Sequence, residues 1–262
     1  MRAISTHNVW LNGAALSAVD AAIVVRHAIE PETKANIAYI DNSGRSGRRI
    51  VSHGRESKII RARFSIRGLY NLEERARVID RVNGWAAAGG YLRISARPEQ
   101  RIRVSCIKYA ATDEVISPAG IYTLEFEANM SPFWEAAAPT HIDLSGAEAT
   151  GEIVIRGTAP SPIEIEATPT GAALTSLVIT ATGAKGESAI TLTGLNVPAD
   201  TALAIGYDGH GFLSIAAGGV SLLDKRTPES SDELTAWPGV ATISITANTA
   251  VDARIISRGR WV

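Results

Sequence analysis

Arginine side chains concentrated between residues 45 and 103 are the groups in this sequence best suited to bind a charged partner. The stretch contains 14 Arg and one Lys against five Asp and Glu. A guanidinium group presents its N–H donors in a planar fork that fits a carboxylate or a phosphate. The sequence therefore predicts a surface that binds anionic groups.

Alternating polarity places several of these arginines on one face of predicted strands. In "IIRARFSIRG" the apolar side chains from Ile60 to Ile66 alternate with polar ones, as expected for a strand with one face on a core. The stretches "YLRISAR" and "RIRVSC" alternate in the same way, with "RPEQ" predicted as the turn between them. The arginines predicted for the outer face are Arg61, Arg63, Arg67, Arg93, Arg101 and Arg103.

Three arrangements of this face stay open: solvated arginines, arginine stems covering apolar surface, or pairing with carboxylates of a neighbouring subunit. We favour subunit pairing, because the guanidinium fork suits bidentate bonds across an interface. Phosphates of a nucleic acid are a further candidate. The face carries only Tyr91 as an aromatic residue, which is poor for base stacking.

Residues able to catalyse a reaction form no recognisable constellation. Asp208, His210 and Ser214 are close in sequence, but "YDGHGF" is a predicted hairpin turn, where polar residues are expected. Glu164 and Glu166 fall on the outer face of a predicted strand. The five His residues show no metal-ligand spacing. We expect no enzyme activity, no catalytic residue, no metal site and no cofactor.

The Gly-Gly pair in "WAAAGGYLRI" raises the question of a phosphate-binding loop. Asn71 is a suitable N-cap for a helix that begins after it and ends at Gly89 and Gly90. A phosphate loop needs its glycines before the helix, so the pair is predicted to end a helix instead. The predicted helix stripe, mostly apolar, consists of Leu72, Ala76, Ile79, Asn83 and Ala86.

Residues 41–57, "DNSGRSGRRIVSHGRES", are predicted to be a mobile loop that becomes ordered against a partner. Cys106 is predicted to be a small buried side chain. A single cysteine forms no internal disulfide, which suits a reducing compartment. The first residues resemble no signal peptide, and the apolar runs are too short to span a bilayer. We expect a soluble protein folded in a cytoplasm.

Charge and pattern change near "SPFWEAAAPTHIDLSG", residues 131–146. Residues 1–135 carry 19 Lys and Arg against 14 Asp and Glu, whereas residues 136–262 carry 7 against 13. The first part mixes one helix with strands, and the second is a series of short strands typical of a β-sandwich. We predict two domains, 1–135 and 136–262. In the second, Tyr207 and Trp237 are the candidate carbohydrate contacts, since sugars stack on aromatic rings.

The order of several short motifs resembles that of siphophage distal tail proteins. "RFSIRG" precedes the capped helix, and "NGWAAAGGYLRISARPEQRIRVSC" and "IYTLEFEANMSPFWE" follow. The last residues, "AWPGVATISITANTAVDARIISRGRWV", resemble the ending of that family. The resemblance spans most of the chain and depends on motif order more than on any single signature.

The resemblance implies a mainly β fold: an α+β, barrel-like or sandwich-like ring domain with one α-helix, followed by a galectin-like β-sandwich. It implies a ring, expected to be hexameric, at the distal end of a phage tail tube. The expected partners are other copies of the chain, the tail tube protein, a tail tip hub protein and receptor-binding proteins. DNA would pass through the channel without specific binding, and no membrane would be involved. The protein would reside in the virion after assembly in the host cytoplasm.

Two other functions stay open at the level of the sequence. The second domain is a candidate carbohydrate-binding module, with the first domain as a spacer. The arginine-rich first domain is a candidate for non-specific nucleic-acid binding.

Overall fold

Alternating apolar residues produce a fold dominated by strands, as predicted. The computed structural model describes residues 7–29, 35–41, 48–55, 57–68, 71–111, 120–128, 131–208 and 211–262. Its contacts divide the chain into two compact units, Met1–Pro132 and Phe133–Val262. The predicted boundary after residue 135 falls inside a short strand, Trp134–Ala136.

The first unit combines strands with one long helix. Its helices are α1 (Leu16–Val19) and α2 (Leu72–Ala87). Its strands are β1 (Val9–Leu11), β2 (Ala14–Ala15), β3 (Ile23–Ile29), β4 (Ala35–Asp41), β5 (Arg48–Arg55), β6 (Lys58–Ile66), β7 (Gly90–Ile94), β8 (Arg97–Lys108) and β9 (Ile121–Ala128).

The main sheet of the first unit runs in the order β2-β1-β7-β8-β9-β6-β3, and the paired strands are antiparallel. Strands β4 and β5 form a separate antiparallel pair. The prediction of a loop over residues 41–57 is therefore wrong for 48–55, which form β5. The Gly and Ser residues suggested a loop, but "RRIVS" contains the β-branched residues that a strand favours. Residues 42–47 and 56 lie outside the described residues.

Helix α2 begins where predicted. The Asn71 side chain accepts a hydrogen bond from the Glu73 N–H at 2.9 Å. The predicted stripe is partly wrong, because Leu72 is 66% exposed. The buried residues of α2 are Arg75, Val78, Ile79, Val82 and Ala86. Val78 and Val82 are not in the predicted stripe. Because both are buried, the apolar face of α2 is rotated by about one residue from the prediction.

The Gly89–Gly90 pair ends α2 and is also contacted by the side chain of Asn12, the residue that follows β1. Asn12 donates from its amide nitrogen to the Gly89 carbonyl at 2.8 Å and accepts from the Tyr91 N–H at 2.9 Å. A Cβ at residue 90 would lie 2.3 Å from the Asn12 Oδ1. Glycine is favoured at residue 90 because its φ is +112° and because a Cβ would displace the Asn12 amide.

The β7–β8 hairpin turns earlier than predicted. Ser95 and Ala96 form the turn, and "RPEQ" belongs to β8. Leu92 pairs with Ile102 and Ile94 pairs with Arg97, so residues 98–101 form a wide bulge opposite a single residue. Cys106, predicted to be buried, is only half-buried near a second bulge. Burial raises the pKa of its thiol.

The second unit is built almost entirely of strands, with one 3₁₀ turn at Leu223–Lys225. Its strands are β10 (Trp134–Ala136), β11 (Thr140–Ile155), β12 (Ser161–Pro169), β13 (Leu174–Gly183), β14 (Gly186–Val197), β15 (Leu203–Tyr207), β16 (Leu213–Ala217), β17 (Val220–Ser221), β18 (Thr235–Ala236), β19 (Gly239–Ser257) and β20 (Arg260–Trp261).

Two long paired strands, β11 and β19, run through both layers of this unit. The first half of β19 pairs with β13, and its second half pairs with β12. Strand β11 follows β19 along its length, with a register shift between Gly146 and Glu148. The halves of β11 face each other, since a Cβ on Gly151 would lie 2.6 Å from the Leu144 Cδ2. The stretches "VATISITA" and "ARIIS" are therefore one bent strand.

A single core fills the space between these layers. Apolar side chains from both halves of β19, such as Ile243 and Ile255, belong to the same buried cluster as Ile165 of β12 and Ile179 of β13. This arrangement confirms the predicted β-sandwich.

An exposed asparagine braces the bend of β19. The Asn248 Oδ1 accepts hydrogen bonds from the N–H groups of Thr175 and Ser176, at 2.7 and 3.1 Å. Its amide nitrogen donates to the Ala173 carbonyl at 3.1 Å. The start of β13 is irregular in register here, so the side chain satisfies backbone groups that the strand ladder leaves unpaired.

The outer edge of β14 is covered by the segment that follows the 3₁₀ turn. The N–H groups of Thr227 and Ser231 donate to the carbonyls of Thr191 and Ala189, at 2.9 and 2.7 Å. The hydroxyls of Ser230 and Ser231 accept from the N–H groups of Thr191 and Ala189, at 2.9 and 3.0 Å. Both donors and acceptors of this part of the edge are therefore occupied.

The final strand remains in the second unit. Strand β20 pairs with β10, and Arg260 forms an ion pair with Glu135 at 3.3 Å. The backbone of residue 260 approaches Gly157 so closely that a Cβ at residue 157 would lie 2.0 Å from the Arg260 carbonyl oxygen.

Replacing Gly157 with Ala is expected to lower the free energy of unfolding by about 3 kcal/mol, because the methyl group overlaps a backbone carbonyl. Gly239→Ala is the matched control, since residue 239 has a similar φ of +126° against +116° and an open site. The control is expected to lose only the backbone strain, about 1–2 kcal/mol. Calorimetric unfolding of both variants measures the difference, and equal losses would contradict this account.

Asn248→Ala is expected to destabilise the second unit by about 1–2 kcal/mol, because three hydrogen bonds to backbone groups are lost. Thr246→Ala is the control, since Thr246 is exposed on the same strand, and its loss is expected within about 0.5 kcal/mol. Urea unfolding compares the two variants. A loss at residue 248 no larger than that at 246 would show that the brace is dispensable.

Candidate subunit interface

The six predicted arginines lie on the outer face of the first unit's sheet and form two groups. Their neighbours along each strand, such as Phe64, Leu92 and Ile102, are buried on the opposite face. Arg93, Arg101 and Arg103 belong to β7 and β8, and Arg61, Arg63 and Arg67 belong to β6 and the residue after it. Strand β9 lies between the groups. The sequence pattern predicted the face, but it did not predict the division.

The β7–β8 group is organised by aromatic rings. The Arg93 Cζ lies 4.7 Å from the Trp10 ring centroid, and the Arg101 Cζ lies 3.8 Å from that of Tyr91. Tyr91 pairs across the strands with Arg103, and Trp10 pairs with Arg93. We call these five residues, Trp10, Tyr91, Arg93, Arg101 and Arg103, the arginine–aromatic surface.

Stacking fixes the orientation of these guanidinium groups. A cation over a ring gains about 0.5–1 kcal/mol at an exposed site and is held flat against it. One face of each ring is thereby occupied by the protein's own arginine, which leaves less ring surface for a base. The Arg101 Nε is buried with no hydrogen-bond partner among the described residues.

Trp10 was not among the predicted site residues. Its signal in the sequence is the short alternation "VWL", in which Val9 and Leu11 are buried and Trp10 points to the outer face. The pairing of β1 with β7 then brings the ring to Arg93, and that contact links residues far apart in sequence.

The β6 group is only partly available to a partner. The Arg61 Nε donates to the Glu125 Oε1 at 2.8 Å, across paired positions of β6 and β9. Arg61 therefore already has a carboxylate within its own chain. Arg63 and Arg67 are exposed, and their side chains form no ion pair within the described ranges.

The two candidate carbohydrate contacts of the second unit are engaged by their own chain. The Tyr207 hydroxyl donates to the Leu234 carbonyl at 2.9 Å and accepts from the Leu234 N–H at 3.1 Å. Burial raises the pKa of Tyr207. The Lys185 Nζ lies 3.8 Å from the centroid of the Trp237 ring.

Of the residues weighed for catalysis, Asp208 stabilises local structure. The Asp208 Oδ1 accepts the Phe212 N–H at 3.0 Å, which stabilises the β15–β16 hairpin. Gly209 and His210 lie outside the described residues. Glu164 and Glu166 belong to β12, and Glu166 pairs across the sheet with Arg254.

A polar groove of about 430 Å³ lies on β11, β12 and β19. The Arg254 Nε donates to the Asp143 Oδ1 at 3.0 Å, and the Ser145 hydroxyl donates to the Asp252 Oδ1 at 2.5 Å. The hydrogen bond from Arg254 lowers the pKa of the exposed Asp143 carboxyl. The groove contains the carboxylates of Asp143, Glu166 and Asp252 and the cation of Arg254. Asp143 and Asp252 accept hydrogen bonds from side chains of the neighbouring strand.

The described part of the chain contains neither a candidate metal cluster nor a candidate membrane-spanning helix. Its His, Cys, Asp and Glu side chains form no group of three or more that could hold a metal ion. None of its helices combines the length and the apolar character needed to cross a membrane.

Comparison with known proteins gives a match in structure only. No family model matches the sequence, and no curated protein matches it. The Dit protein of phage SPP1, described as a hub of the adsorption apparatus in phages that infect Gram-positive bacteria, is similar with a TM-score of 0.74 and 12% identity. The match covers 98% of this chain and 99% of that one.

Two structures of the phage P2 baseplate in its activated conformation also match. The calcium form has a TM-score of 0.49 and 9% identity, over 97% of each chain. The strontium form has a TM-score of 0.47 and 8% identity, over 96% of this chain and 97% of that one. The SPP1 match by itself confirms the predicted resemblance to phage distal tail proteins at the level of the fold, which is mainly β with an α+β first unit.

Proposed function

We propose that this protein is a structural component of a phage tail, which forms a ring at the distal end of the tail tube. The ring joins the tube to the tip or baseplate and to receptor-binding proteins. Its expected copy number is six. The protein has no catalytic role in this proposal, and DNA passes through its channel without specific contacts. It resides in the virion after assembly in the host cytoplasm.

The observation that carries the proposal is the length of the SPP1 Dit match. Both units are matched in one chain, over 98% and 99% of the two lengths. A fold shared by one domain says little about function. A match to two different β units in the same order is more specific, and the matched protein is described as a hub.

The two predicted domains differ in charge in a way that suits a hub. Residues 1–135 carry an excess of basic residues and residues 136–262 an excess of acidic ones. Partners of different charge are thereby attracted to different parts of the chain. Among the side chains weighed for catalysis, that of Asp208 stabilises a hairpin turn.

Purified full-length protein is expected to form a closed ring, with a mass that is an integer multiple of 27.7 kDa. Light scattering over a concentration series gives the mass, and negative-stain images of the same samples show whether a central hole is present. A protein that stays monomeric and also fails to bind tail tubes lacking this component would contradict the proposal.

Within such a ring we assign Arg63 and Arg67 to the channel side. Arg63→Glu is then expected to leave the ring mass and the melting temperature unchanged. Arg61→Glu is the comparison variant, because it places a second carboxylate beside Glu125 and is expected to cost about 1 kcal/mol of stability. Loss of rings in Arg63→Glu, with an unchanged melting temperature, would place Arg63 at a subunit contact instead.

A further inference from the structure

We propose that the arginine–aromatic surface binds carboxylates on helix α2 of a second copy of this chain. The inference rests on the proposed ring and names the contact that would build it. It goes beyond the ring itself, because it assigns the arginine–aromatic surface to one copy and helix α2 to the neighbouring copy.

The chemistry of the surface favours planar anions over bases. Trp10 and Tyr91 already stack on Arg93 and Arg101, at 4.7 and 3.8 Å. A stacked guanidinium keeps the N–H groups at its edge available, in the plane that a carboxylate approaches. The outward positions of β1 and β7, the strands that carry Trp10 and Arg93, include no carboxylate.

Helix α2 offers the matching anions within the same unit. Its Glu73 is paired with Arg77 at 2.6 Å, and its Arg81 is paired with Asp20. Glu74 and Asp80 are exposed and form no ion pair within the described ranges. These two carboxylates have no cationic partner among the described residues and are therefore the ones that we assign to another copy.

The cationic and anionic sites lie on opposite faces of one sheet. Helix α2 packs on the buried face, where Val78 and Val82 are buried and Trp85 meets Phe126 edge-on at 6.2 Å. Arg93 and Trp10 point to the other face. Because the sites differ and lie on opposite faces, contact between copies is head-to-tail, the kind of interface that builds rings or open filaments.

Duplex DNA is the competing occupant, since phosphates accept the same hydrogen bonds. A second copy is the assigned occupant because the proposed ring places another copy beside each chain. Residues 1–135, with 19 Lys and Arg against 14 Asp and Glu, also attract a polyanion, so a DNA duplex is included in the test.

A charge swap tests the assignment on the full chain. Arg93→Glu and Asp80→Arg are each expected to weaken self-association by about tenfold or more, because each places like charges across the contact. The double variant R93E/D80R is expected to recover most of the wild-type association. Arg156→Glu, an exposed arginine of the second unit, is the control for net charge. Sedimentation over a concentration series measures association, and calorimetry confirms that each variant is folded.

Three results would overturn the inference. The first is association unchanged in both folded single variants. The second is a loss that the double variant does not recover. The third is binding of a labelled DNA duplex that Arg93→Glu abolishes while association is unaffected. If rings still form in both single variants, the proposed function is retained but this contact is not part of the ring. If the protein forms open filaments, and the charge swap disrupts and restores them as expected, the contact is supported but the closed ring is not.

Discussion

The bend shared by β11 and β19 is the constraint on which the second unit depends. Each strand is long enough to enter both layers, so the layers cannot separate without breaking a continuous strand. Asn248 satisfies the backbone groups that the bend exposes. One core then serves both layers, and it collects the inward residues of every long strand. The two layers of the sandwich are therefore connected by continuous strands.

The first unit uses its charged residues in a different way on each face of its sheet. On the outer face, aromatic rings hold two guanidinium groups flat, so that side chains with many rotamers present fixed donors. On helix α2, one surface carboxylate, Glu73, is paired within the helix, whereas Glu74 and Asp80 form no ion pair with the described residues. The outer face of the sheet is therefore rich in arginine, whereas α2 carries three carboxylates and three arginines.

Local pattern was enough to predict the faces of the strands and the start of α2, because alternation and capping act over a few residues. It was not enough for contacts set by strand pairing. The Arg61–Glu125 ion pair depends on the register between β6 and β9, and Trp10 reaches Arg93 only because β1 joins β7. The bulge at residues 98–101 displaced the predicted turn, since a bulge changes register without changing composition. Leu72 was misassigned because the buried valines rotate the helix face.

The covered edge of β14 limits how this protein can associate. A sheet edge whose backbone groups are free accepts a strand from another molecule, and an oligomer brings many such edges close together. Here Thr227, Ser230 and Ser231 occupy the donors and acceptors at Ala189 and Thr191. Neighbouring sandwiches are thereby kept from fusing into a continuous sheet along that edge, and crowded copies remain separate folded bodies.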